Sequence, residues 1–178
     1  MPVLKQFCVA VTLLWLALGA SVAAGQSQKE GQDESAAAPL TLKACGPKEK
    51  EVSYSADTDK TRHPTPEPPE GKAMVYVLRP TMMGNKIQTK LAVDGEWKGA
   101  NRGNNYFFFP LDPGEHYVCS KAENRSVMTI KVEAGKTYYL QQHIHMGVMK
   151  ARNSVDSMTE EEGKKKLEKL HPSTWEVK

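Results

Sequence analysis

The sequence lacks the short patterns that carry most enzyme chemistry. It has no Gly-x-Ser-x-Gly elbow, no Walker loop, no dinucleotide-binding fingerprint and no His-Glu-x-x-His pair. Without a nucleophile beside its base, a carboxylate pair in a cleft or a cofactor cradle, the expectation is a protein that is not an enzyme, with no catalytic residue and no cofactor. A stripe of one charge sign is missing too. Lys and Arg number 24 against 21 Asp and Glu, a net charge of +3, and the two signs are interspersed, so nothing supports a nucleic-acid partner. Cysteine is scarce, three in 178 residues, and none stands at the end of the N-terminal apolar run to receive a lipid. That argues against a lipoprotein.

What is present begins with an export signal. Lys5 supplies a positive n-region, residues 9–18 an apolar h-region, and Ser21-Val22-Ala23-Ala24 a small-residue cleavage zone, so residues 1–24 read as a signal peptide. The rival is an uncleaved anchor, since residues 7–24 just suffice to cross a bilayer of roughly 30 Å. Membrane contact is then expected only through this segment before cleavage, and the expected location is periplasmic or secreted. Cleavage discards Cys8 and leaves Cys45 and Cys119 in a compartment that permits oxidation. A disulfide is the natural inference, against two separate thiols or one reactive thiol.

The mature chain divides by composition. Residues 25–70 read as a flexible leader and linker: residues 26–40 offer almost nothing to bury, and His63-Pro64-Thr65-Pro66-Glu67-Pro68-Pro69 is too proline-rich for helix or sheet centre. Between them, residues 41–47 can dock through Cys45, and Val52-Ser53-Tyr54 can form a brief strand. Residues 71–178 read as one β domain with a C-terminal helix. Strands are expected over 73–79, 91–93, 105–111, 116–120 and 126–132, with a last one over 137–148. Asp94-Gly95, Asp112-Pro113-Gly114 and Ala134-Gly135-Lys136 supply the turns. Short strands with no helix between them argue for a mainly β, small antiparallel sandwich or barrel-like domain. Thr159, followed by Glu160, Glu161 and Glu162, predicts a capped helix to about Leu170, with Leu167 and Leu170 pressing on the sheet.

Four segments in this order, Gly71-Lys72-Ala73-Met74-Val75-Tyr76-Val77, Val93-Asp94-Gly95, Leu111-Asp112-Pro113-Gly114-Glu115-His116 and Ala134-Gly135-Lys136-Thr137-Tyr138-Tyr139-Leu140, resemble the bacterial family called domain of unknown function 2846. The resemblance implies an exported or lipid-anchored envelope protein with a compact β domain and transfers no catalytic residue; this sequence departs from the lipoprotein members by lacking a lipobox cysteine. Residues 93–116 are also similar to the small β-modules named after their Pro-Glu-Gly-Ala pattern.

Two groups of residues are candidates for binding. His143 and His145 form a His-x-His pair, and period 2 puts both imidazoles on one strand face, where zinc or copper could be shared, with His116 or Met149 as further ligands. The plainer alternative is a pair of exposed strand histidines. Tyr106, Phe107, Phe108 and Phe109 run consecutively, so two of them must leave the core unless both faces are covered, and Trp97 lies near. Trp97, Tyr106 and Phe108 are therefore candidate binding aromatics, against the alternative of a strand buried on both sides. The function expected is an exported, non-catalytic β domain that binds a protein or envelope component. The runner-up is a periplasmic metal-binding protein, with an enzyme as the residual class.

Overall fold

The computed structural model describes residues 34–81, 83–146 and 151–178. The expected signal peptide lies outside the described residues. The described residues begin with a helix α1 (Glu34–Cys45) and a single 3-10 turn (Lys48–Lys50), then strand β1 (Tyr54–Thr58). Next come β2 (Ala73–Arg79), β3 (Thr89–Val93), β4 (Glu96–Asn101), β5 (Asn105–Leu111), β6 (Gly114–Lys121), β7 (Arg125–Val132) and β8 (Thr137–Met146). It closes with β9 (Ala151–Met158), helix α2 (Glu160–Leu167) and β10 (His171–Val177).

The strands form two open sheets, one of six in the order β1-β10-β5-β2-β8-β9 and one of four in the order β4-β3-β6-β7. Their inner faces share one apolar core, in which Val75, Val77, Phe107 and Leu140 of the larger sheet meet Leu91, Val118 and Val132 of the smaller. The architecture is the expected mainly β sandwich. Strand polarity is mostly antiparallel, but β2 runs parallel to β8 and β10 parallel to β5.

Turn chemistry does what the sequence promised. Asp94 and Gly95 have φ of 51° and 82°, the two positive values a tight hairpin turn requires. Thr159 caps α2 through a reciprocal box with Glu162. Gly163, a poor helix former, is needed by packing: a Cβ there would stand 2.2 Å from Cγ of Tyr139. Leu167 and Leu170 join Met74, Tyr76, Leu78, Tyr106 and Tyr139 in a second cluster under α2, on the outer face of the large sheet.

Three expectations are corrected. Residues 34–45 are helical although a flexible leader was expected, because Ala36-Ala37-Ala38 are strong helix formers and Cys45 ties the far end down. β1 belongs to the large sheet, paired with β10 from Tyr54↔Val177 to Thr58↔Ser173, so packed structure reaches well before residue 71. The strand beginning at Thr137 is not the last, since β9 pairs antiparallel with it and β10 follows α2. The expected tail of that strand, with Met149, lies outside the described residues.

Candidate functional site

The disulfide organises the outer face of the small sheet. Cys45 and Cys119 are bonded at a Cα separation of 5.1 Å and are both buried. With Ala44 and Ala92 they form a third cluster, flanked by Trp97, Tyr117 and Val127. Gly46, at φ +71°, ends α1 in the left-handed region, and a Cβ on it would approach the carbonyl oxygen of Gly95 to 2.5 Å. The helix end thus sits on the Asp94-Gly95 turn, where Gly95 N–H donates to Ala44 O at 3.1 Å.

The opposite flank carries a cleft of about 280 Å³ between the proline-rich strap, the large sheet and α2, lined among others by Pro66, Glu67, Tyr76, Tyr139, Glu160 and Lys164. The strap is extended but not loose. Tyr76 Oη donates to Pro66 O at 2.7 Å and Tyr106 Oη to Pro64 O at 2.9 Å. Nε2 of His63 lies 3.1 Å from Leu167 O, which requires that nitrogen to carry the proton. Burial raises the phenol pKa of Tyr76 well beyond its ordinary range, with Tyr139, Tyr106 and Glu67 adding to it. Tyr106 is pushed up to about 12, again chiefly by burial. These hydroxyls stay protonated at physiological pH and give their protons to the strap carbonyls, so what Tyr76 and Tyr139 offer the cleft is aromatic surface.

Tyr106 is fully buried and Phe108 half-buried, both in the cluster beneath α2, while Phe107 and Phe109 enter the inter-sheet core. β5 is covered on both faces, which corrects Tyr106 as an exposed binding aromatic and leaves Phe108 as part of the packing. Trp97 is not a free patch either: it packs on the disulfide cluster under the Lys90 ammonium, 4.6 Å from its ring centroid.

His143 and His145 share a face, their rings stacked at 6.1 Å. Each imidazole is already engaged. Gln141 Nε2 donates to His143 Nδ1 at 3.1 Å, His143 Nε2 faces Asp156 at 3.3 Å, and His145 Nε2 lies 2.9 Å from Ser154 Oγ. Burial lowers the His143 pKa; Asp156 works against that, and His145 and Lys166 add to it. His116 is on the other sheet, held between Asp94 Oδ2 at 2.6 Å and Asp112 O at 2.8 Å. Among the described residues no group of three or more His, Cys, Asp or Glu side chains is placed to hold a metal ion.

Sequence reasoning missed Arg79, which lies fully buried at the end of β2. Its Nη2 donates to Gly84 O at 3.0 Å, whereas Nε and Nη1 have no hydrogen-bond partner among the described residues. Burial lowers its pKa to about 10, so the guanidinium remains charged near neutrality. The only signal was an arginine closing an apolar strand before Pro80.

Among known proteins, the chain is similar to an uncharacterized protein of Haemophilus influenzae, 30% identical over 105 residues, which are 58% of this chain and 62% of that one. The chain thus spans under two thirds of that relative's length. Residues 69–155 match the family described as protein of unknown function (DUF2846).

Proposed function

We propose that the protein is an exported, non-catalytic β-sandwich module that binds a protein or envelope component in the bacterial periplasm or at the cell surface. The observation that carries this is the Cys45–Cys119 disulfide. Such bonds persist where the surroundings are oxidising and are rare where glutathione and thioredoxin keep thiols reduced. Here the bond is a structural staple in a packed cluster, with both of its cysteines buried. A binding role is supported by the strap cleft, whose tyrosine floor and charged rim have the layout of a small interface. Of the charges on its rim, Lys164 pairs with Glu160 at 2.6 Å.

The test is expression of the full chain in a bacterium, alkylation of thiols before lysis, and fractionation, with a photo-crosslinking residue replacing Glu67 at the lip of the cleft. The expected result is protein in the extracytoplasmic fraction, with Cys45 and Cys119 resistant to alkylation until reduced and a discrete crosslink to an envelope component. Cytoplasmic protein with two alkylatable thiols would overturn the export reading, and a native protein without a crosslink would overturn the binding role of this cleft.

A further inference from the structure

Directly opposed like charges on neighbouring strands are destabilising, and sheets avoid them unless something compensates. The small sheet sets three in a row. Lys90 of β3 is in register with Lys121 of β6, and Lys121 is in register with Arg125 of β7. They are not a solvated face, because their side chains are only 16%, 22% and 33% exposed. All three converge on one carboxylate, Glu51, which lies between the 3-10 turn and β1. Lys90 Nζ donates to Glu51 Oε1 at 2.7 Å, Lys121 Nζ to the same oxygen, and Arg125 Nη2 to Oε2 at 3.1 Å. One negative charge against three positive leaves a surplus of two in a partly desolvated place.

Two of these cations, Lys90 and Lys121, face a pocket of about 400 Å³ that Lys86 also lines, with Ser53, Tyr54 and Gln88 among its neutral polar groups and, among the described residues, no acidic residue in its wall. Lys86 makes the imbalance larger. A cavity this size holds more than one oxyanion, and its lysine wall and neutral polar remainder match a charged head carrying a small polar body.

We propose that Lys86, Lys90 and Lys121 form, in this pocket, a binding site for the phosphate group of a phosphate ester, which competes with the protein's own Glu51 carboxylate for Lys90 and Lys121. A phosphate near neutrality carries between one and two negative charges and three acceptor oxygens, which answers the surplus better than a single carboxylate. Glu51 lies on an irregular segment rather than on a strand, so it can be displaced while the cations stay fixed by the sheet. The site depends on where the cations are and not on the compartment, so it stands or falls separately from the export reading.

The probe is glycerol 3-phosphate, titrated at constant ionic strength into the full, disulfide-intact protein and followed by amide chemical shifts. Saturable shifts are expected around Tyr54, Lys86, Lys90 and Lys121. Lys86→Ala, which leaves the Glu51 network whole, should weaken binding roughly fivefold, the scale of one partly exposed charge contact. Glu51→Gln, which removes the internal competitor, should tighten it by a similar factor, and Lys121→Ala should abolish it. A co-sedimentation arm with phosphatidylglycerol vesicles identifies the source. Sedimentation reversed by glycerol 3-phosphate assigns a lipid headgroup; binding of glycerol 3-phosphate without sedimentation assigns a soluble ester. No saturable shift in either the native protein or Glu51→Gln, or binding that Lys86→Ala leaves unchanged, overturns the proposal.

Discussion

Removing the disulfide by Cys45→Ala together with Cys119→Ala should loosen the N-terminal helix and leave the sandwich folded. Alanine is the right replacement because both positions are buried, and serine would leave hydroxyls without partners. The bond joins residues 74 apart, and for a closed loop of about 75 residues the chain-entropy relation assigns about 4.5 kcal/mol, within a usual range of roughly 2–5. A packed body of about 145 residues unfolds with an entropy near 0.3 kcal/mol/K, so the melting temperature should fall by about 7–15 °C. The structure also says where loosening stops. Upstream of Gly46, the helix has the buried Ala44 and its bond from Gly95 N–H, whereas Glu51 is held by three cations and β1 by its ladder with β10. Trypsin should therefore cut the variant first after Lys43, Lys48 or Lys50, with residues 51–70 protected. Calorimetry and mass spectrometry of timed digests read both quantities. A melting temperature within about 2 °C of the native protein, or first cleavage between 51 and 70, would refute the staple as described.

Gly163→Ala should destabilise although alanine is the better helix former: the propensity gain of about 1 kcal/mol is outweighed by overpacking of about 1–3 kcal/mol against Tyr139, and a raised melting temperature would contradict this. Tyr76→Phe removes the donor to Pro66 O and should cost about 1 kcal/mol with faster proteolysis of the strap at residues 63–69; unchanged cleavage would show that the strap is held otherwise. Burial raises the Glu51 pKa, but hydrogen bonds and charge from Lys121 and Lys90 win and hold it near 2, against 4.5 for the free group. Its contribution, no more than about 3 kcal/mol, is therefore present above pH 4.5 and lost as pH falls toward 2, and acid titration of stability for the native protein and Glu51→Gln should differ over that window.

The parts of the fold legible in the sequence are those fixed by local chemistry. Asp94-Gly95 announces its hairpin because both positions need positive φ, and Thr159 with Glu162 announces its helix because the capping box is a contact between near neighbours. β9 was not legible because it is an edge strand whose residues, Ala151–Met158, are mostly polar, with only Asn153 and Val155 buried. β10 hides behind Pro172, a residue that argues against a strand interior, and meets β5 through only His171↔Asn105 and Pro172↔Tyr106. The aromatic run was half legible. Period 2 does split Tyr106 and Phe108 from Phe107 and Phe109, but which cover lies over the outer pair depends on α2 and the strap, dozens of residues away.

The same distinction separates the two candidate sites. His143 and His145 are conspicuous because they are two residues apart on one strand, yet that proximity is local, and the fold supplies each ring with a partner of its own in Gln141, Asp156 or Ser154. Lys90, Lys121, Arg125 and Glu51 are inconspicuous because the sequence scatters them, and only the register of β3, β6 and β7 brings the cations into one row. A shift of β6 by one residue would turn Lys121 to the opposite face and break the row, since side chains alternate along a strand. The register is held by Val93↔Val118 in the core and by Cys119, whose pairing with Ala92 places it under Cys45. The disulfide that anchors the N-terminal helix and the cation row that faces Glu51 therefore depend on one register. The like-charge row that this fixed pairing keeps is offset, in the structure, by the single Glu51 carboxylate to which all three cations donate.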